Sequence, residues 1–217
     1  MTASPRFRGL ALLVLAVLSL APALRATAAT TWDFRNGGAP ETVVGGVFSI
    51  HRIFAADGMT VDVTAWANTG TSPAGSFASG YLGRYDTGLG VCNRGEAQVV
   101  GGLSNCVFDG GIRNQVDNVG QQDLVLFVFS ETVRLDALTI DPFGLFDRDV
   151  SFWIGDTANP LNMTGVTFAG LPGLGFGPQQ DSLNGIGTGP LTIGLGGLTG
   201  NALLVGARYP ADGLVDK

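Results

Sequence analysis

Hydrophobic and polar residues alternate with period two through the middle of the chain. Residues 60–68 (TVDVTAWAN) set Val61, Val63 and Ala65 on one side and Asp62, Thr64 and Trp66 on the other, the pattern of a strand with one face turned inward. Residues 123–130 (DLVLFVFS) are β-branched and aromatic and apolar on both faces, which predicts a central strand buried on two sides. Residues 133–140 and 150–154 read as further strands, with Glu131-Thr132 as a hairpin connection, and residues 202–209 (ALLVGARY) as a closing strand. Turn clusters separate these runs at 36–38, 57–58, 68–70, 109–111 and 156–160. No segment carries three turns of amphipathic helix. Short strands with frequent turns predict an all-β fold, an antiparallel β-sandwich or jelly roll with Gly-rich loops, rather than βαβ units.

One stretch departs from the alternation. Between 165 and 200 the chain is dense in Gly, Pro, Leu and Phe, as in LPGLGFGPQQ and IGLGGLTG, with no fixed period that would mark a repeat array. We expect a long, loosely patterned insertion or hairpin across one end of the sandwich.

Composition narrows the choice further. The chain has 217 residues, 45% hydrophobic and 14% charged, with 34 Gly. Gly is usually roughly 7%, and no Gly-X-Y period is present to make collagen of the excess. High hydrophobicity with low charge is the reverse of a disordered chain. A helical bundle is disfavoured, because interior Gly costs about 1 kcal/mol each relative to Ala. The formal charge is −6, with one Lys at the last position and no cluster of Arg in the body of the chain. No basic footprint for nucleic acid is therefore expected.

The first 28 residues read as an address. Arg6 and Arg8 precede an apolar run at 10–18, followed by Ser19, Pro22 and Ala26-Thr27-Ala28. A basic start, a short apolar stretch and small residues at the cut are the parts of a secretory signal peptide. The run is well short of the roughly 20 apolar residues of a membrane span. The expected organisation is a signal peptide at 1–28 and a single sandwich domain at 29–217. Cleavage removes Arg6, Arg8 and Arg25 and no acid, which moves the formal charge from −6 to −9. The cysteines agree with export: Cys92 and Cys106 are an even pair, read in an oxidising compartment as one disulfide, the alternative being two free thiols.

Chemistry is sparse. HExxH, GxSxG and P-loop signatures are missing. His51 is the lone histidine and lies in the apolar context FSIHRIF, where a packed strand residue is the plainer reading than a general base. Carboxylates such as Asp147 and Asp149, with Glu96, leave a secreted hydrolase using an Asp/Glu pair as one alternative. Asp117 and Asn118 in NQVDNVGQQD, then Asp123, then Asp147 and Asp149 in FDRDVSFWIG, gather hard oxygen donors at strand starts. Such donors suit Ca²⁺, which takes about six to eight oxygens; the competing reading is that Asp and Asn are ordinary turn residues. Trp66 and Trp153, with Tyr81 and Tyr85, are candidates for an exposed glycan platform, which gives a second alternative, a carbohydrate-binding module. Against it, the two indoles could cover a second sheet face.

The succession YLGRYDTGLGVCNRGE (81–96), VDNVGQQDLVLFVFS (116–130) and DRDVSFWIG (147–155) resembles the exosortase-dependent surface proteins of the PEP-CTERM type, over roughly residues 32–153. These are exported by Gram-negative bacteria that also make extracellular polysaccharide. The resemblance implies a secreted β-sandwich, sorted to the envelope or released into the matrix, with no established enzymatic role. Its pattern includes Glu96, Asp117, Asn118 and Asp123, which are the metal-ligand candidates; Gln115 stands where the pattern has a His. The chain lacks the Pro-Glu-Pro motif, helix and basic tail of that group, and it ends in what looks like a strand start, so the expectation is a truncated C-terminal strand. Exosortase is a partner only if a sorting tail exists.

The function expected from these features is that of a non-enzymatic, exported protein of the cell surface or biofilm matrix. Its role would be structural or adhesive, with Ca²⁺-stabilised loops meeting polysaccharide or other surface proteins.

Overall fold

The computed structural model describes residues 29–209 apart from 71–74, 97–98, 101–102, 105, 107–114, 119 and 143. The leader expected at 1–28, the turn cluster at 109–111 and the end of the chain from 210 lie outside the described residues. The strands are β1 (Glu41–Val44), β2 (His51–Ala56), β3 (Met59–Asn68), β4 (Phe77–Ser79), β5 (Tyr81–Tyr85), β6 (Gly88–Cys92), β7 (Val99–Val100) and β8 (Leu103–Ser104). They continue with β9 (Gln122–Ile140), β10 (Phe146–Asp147), β11 (Val150–Gly155), β12 (Gln180–Ser182), β13 (Ile186–Gly187) and β14 (Leu191–Ala207). Short 3₁₀ helices occupy Val47–Ser49 and Phe168–Leu174.

An eight-stranded antiparallel sheet runs β1-β2-β3-β9-β14-β11-β12, with β4 also paired to β3. The period-two reading of residues 60–68 is β3, and its register shows why. Val61, Val63 and Ala65 stand opposite Phe129, Phe127 and Val125 of β9, so one row of apolar side chains crosses the sheet. The row continues through Leu203 and Val205 of β14 to Ile154 and Phe152 of β11. Leu82 and Val91 of the β5–β6 hairpin pack on this face, together with Trp32 and Phe34. The ring centroids of Trp32 and Phe129 lie 5.3 Å apart, and those of Phe34 and Phe127 lie 5.2 Å apart.

The opposite face carries Trp66, Leu124, Leu126, Val128, Trp153 and Leu204. It is covered by the irregular run that follows β11, through Met163, Phe168, Leu171 and Phe176. The all-β, sandwich-like architecture is thus the expected one, and residues 124–129 are buried on both faces. Burying a large apolar side chain contributes roughly 1.5–3 kcal/mol, so these two layers, and not local propensity, hold the strands together.

Two expectations are corrected. Glu131-Thr132 is not a hairpin connection, because β9 passes through it as one 19-residue strand. The pairing with β14 changes register there, from Ala202 opposite Val128 to Gly200 opposite Val133, so the polar pair falls in a bulge. The stretch 165–200 is likewise no insertion in its second half, since β14 begins at Leu191. A second register shift between Gly194 and Leu198 accommodates Gly196 and Gly197, both at φ +68°, a left-handed backbone that glycine adopts without steric cost. The predicted turn at 57–58 joins β2 to β3 with φ of +50° at Asp57 and +82° at Gly58, as a tight hairpin turn of the primed type requires.

The N-terminal flank is secured by charge. Glu41 of β1 accepts from Arg52 at 2.9 Å and lies 3.2 Å from Arg84, both arginines being largely buried. Burial alone would push the Glu41 carboxyl up, but the hydrogen bonds from Arg52 and Arg84 outweigh it and hold the group below its usual range.

Candidate metal centre

The apolar row of β9 ends in a carboxylate. Asp123 occupies the same face as Val125, Phe127 and Phe129, two residues before the first of them, and its exposure is 0%. A buried acid at the end of a hydrophobic ladder needs partners, because an isolated charge there is costly. Asn93, the residue after β6, supplies one: its Nδ2 donates to Asp123 Oδ1 at 3.1 Å. Asp123 Oδ2 is buried and has no hydrogen-bond partner among the described residues.

Two further carboxylates converge on it. The turn after β6 is an Asx-type arrangement in which Asn93 Oδ1 accepts the backbone N–H of Gly95 at 2.9 Å and of Glu96 at 3.1 Å. The Asn93 N–H in turn donates to Glu96 Oε2 at 3.1 Å. This closed turn presents Glu96 to the sheet end. From the other side, the Asp117 carbonyl accepts the Asp123 N–H at 2.8 Å, which holds the segment before β9 against the strand start. Carboxylate oxygens of Glu96, Asp117 and Asp123 all lie within 4.8 Å of one another.

Three carboxyl groups at that spacing cannot all be ionised without compensation; a like-charged pair near 4 Å repels by about 4 kcal/mol at an effective dielectric of 20. The consequence falls on the most buried member. Burial first, and then the charges of Asp117 and Glu96, push the Asp123 carboxyl well above its ordinary value, against the hydrogen bonds from the Asn93 side chain and from the Asp117 backbone. The group thus has two ways to reach balance: retain a proton, or take up a cation. A hard divalent ion suits an all-oxygen donor set.

The structure therefore brings together three of the four sequence-derived ligand candidates. Asn118, the fourth, follows Asp117 and is half-buried. Asp147 and Asp149 are buried as well but stand outside the group. Asp149 accepts the backbone N–H groups of Asn184 and Gly185, the latter at 3.0 Å, and lies 3.6 Å from Arg208, so its carboxylate is taken up by a turn and an ion pair. His51 is bound through Nδ1 to Asp62, at 3.0 and 3.1 Å. Sequence reasoning missed Asn93, whose only signal was the Asn-x-Gly spacing of a turn. It missed Gln121 too, whose Oε1 is buried without a hydrogen-bond partner among the described residues.

The cysteines form the expected disulfide, Cys92–Cys106, with Cα atoms 5.7 Å apart. The aromatic platform is corrected. Trp66 and Trp153 are 5% and 4% exposed and belong to the covered second face. The Trp66 indole N–H donates to Thr64 Oγ1 at 2.9 Å, and the Trp153 ring lies 5.4 Å from that of Phe168. Neither offers an open face to a sugar ring.

Among the described residues no helix is long and apolar enough to cross a membrane. Comparison with family models, curated proteins and solved structures finds no match to the chain.

Proposed function

We propose that the chain is an exported, non-enzymatic β-sandwich protein of the bacterial surface or biofilm matrix, with a Ca²⁺ held by Glu96, Asp117 and Asp123 bracing one end of its main sheet. The observation that carries the cation is the fully buried Asp123 carboxylate, one oxygen of which has no hydrogen-bond partner among the described residues, within 4.8 Å of two further carboxylates. Calcium is favoured over magnesium because it accepts many oxygen ligands in irregular geometry, whereas magnesium demands a near-ideal octahedron and keeps much of its water. Carboxylates from a turn, a loop and a strand form an irregular set of that kind.

Export is supported by the leader pattern at 1–28 and by the disulfide, which oxidising compartments favour. The structural role is supported by where the cation would sit, locking loops onto a rigid sheet. The polysaccharide or surface-protein partner is suggested by the family resemblance and by the acidic charge, which suits divalent bridging to an anionic matrix.

Thermal unfolding tests the cation directly. A ligand that binds only the folded chain, at 100 times its Kd, stabilises by about 2.7 kcal/mol, which for a domain of this size is roughly 5–10 °C in Tm. We expect Tm to rise by that amount between EDTA and millimolar Ca²⁺. An identical Tm in both removes the site.

A further inference from the structure

We infer that cation binding at the acidic centre is conditional on the Cys92–Cys106 disulfide, so that the oxidised chain takes up the ion and the dithiol chain does not. The inference rests on reading the centre as a cation site and adds its regulation.

The argument starts at Cys92, the last residue of β6, buried at 0% like its partner Cys106 at 1%. The next residue, Asn93, makes the contacts that place one side of the site. Its amide donates to Asp123, its carbonyl oxygen organises the turn to Glu96, and its N–H donates to the Glu96 carboxylate. The position of Glu96 relative to Asp123 is therefore set one residue away from the sulfur bridge. Cys106 is the other anchor, and the chain leading from it reaches Asp117 after 11 residues. Asp123 itself is fixed by β9, which pairs with β3 on one side and β14 on the other.

The two ligands that must be brought to Asp123 thus sit on arms leaving the two ends of one covalent link. Mutual repulsion of the carboxylates drives those arms apart, and the disulfide opposes this. A dithiol reductant breaks the S–S bond by supplying two electrons; the two cysteine sulfurs end protonated, and the reductant leaves as its own disulfide. The two segments are then held at Asp123 by hydrogen bonds alone, from the Asn93 amide and to the Asp117 carbonyl, and the ligands are no longer covalently preassembled for the ion. Because linkage is reciprocal, bound cation must also protect the disulfide. A chain with its thiols still reduced would carry no ion, and the site would assemble only after oxidation.

The test uses the full chain in two arms. Calcium titration by calorimetry compares the oxidised protein with the Cys92→Ser/Cys106→Ser variant. Independently of whether that variant folds, the fraction of the wild-type disulfide reduced at equilibrium in a dithiothreitol redox buffer is measured by mass after alkylation, in Ca²⁺ and in EDTA, with Glu96→Gln as the control. We expect at least tenfold weaker Ca²⁺ binding in the variant. We also expect the ratio of reduced to oxidised protein to fall at least tenfold in saturating Ca²⁺ for the wild type, the reciprocal of the affinity change, and to be insensitive to Ca²⁺ in Glu96→Gln. Equal affinity with and without the disulfide, or a reduction equilibrium indifferent to Ca²⁺ in a protein that binds it, overturns the coupling and leaves the cation site standing. Absence of Ca²⁺ binding in the oxidised wild type overturns both.

Discussion

Truncating Trp153 to alanine is expected to lower stability by about 3–5 kcal/mol, the usual cost of removing a large aromatic side chain from a packed core. For a domain of this size that is a drop in Tm of roughly 6–20 °C. The reason lies in the second face of the sheet. Trp153 stands opposite Leu204 of β14 and packs beside Phe168, which in turn lies edge-on to Phe77 at 4.9 Å and stacks on Tyr209 at 3.8 Å. Deleting the indole leaves a void beside Phe168 that this irregular covering run must collapse into. Calorimetry or circular dichroism melting checks the value. A sugar-binding platform would behave oppositely: an exposed aromatic changes stability by about 0.5 kcal/mol or less when removed, so an unchanged Tm would return Trp153 to the surface.

The second large effect concerns Asp123 and depends on which ion is present. Without a divalent cation, Asp123→Asn is expected to be at least as stable as the wild type, because an amide removes the ionisable group that burial and the neighbouring charges of Asp117 and Glu96 disfavour. With Ca²⁺, the wild type gains the stabilisation described above and the variant loses most of it. The pH dependence has a definite sign. The folded-state pKa of Asp123 is raised above its ordinary value of 3.8, so the metal-free fold holds a proton that the unfolded chain has released. That contribution is complete below the ordinary carboxylate range and is lost as pH rises through the folded pKa. Calcium competes with the same proton, so the Ca²⁺-induced rise in Tm should be small in acid and grow toward neutrality. Melts between about pH 4 and 8, in EDTA and in Ca²⁺, separate the two species. A variant whose Tm responds to Ca²⁺ as the wild type does would remove Asp123 from the site.

The strands at 60–68 and 123–130 were legible because side-chain direction in a strand has a period of two, and burial on one or two faces writes itself directly into that period. The acidic cluster was legible as a set of hard donors near strand starts, although Asp147 and Asp149 looked equally suitable. What separated them was tertiary placement: Asp149 is taken by the N–H groups of a turn, whereas Asp123 ends an apolar row with one oxygen left over. The two misread segments share a cause. A polar dipeptide such as Glu131-Thr132 and a glycine pair such as Gly196-Gly197 serve a bulge as well as a turn, and only the partner strand decides between them. The tryptophans were placed on the correct side of their strands, but the layer covering that side is an irregular run with no periodicity to announce it. Asn93 lay unnoticed for a similar reason, since its turn signal says nothing about the buried carboxylate across from it.

The central claim is that Glu96, Asp117 and Asp123 jointly hold one divalent cation. Anomalous diffraction from crystals of the oxidised protein grown with Ca²⁺ examines it most directly. The account predicts a single strong anomalous peak bonded to carboxylate oxygens of all three residues at about 2.3–2.6 Å, the range for calcium–oxygen contacts. A centre without anomalous density, with Asp123 Oδ2 bonded instead to a neighbouring carboxylate through a shared proton, would contradict it.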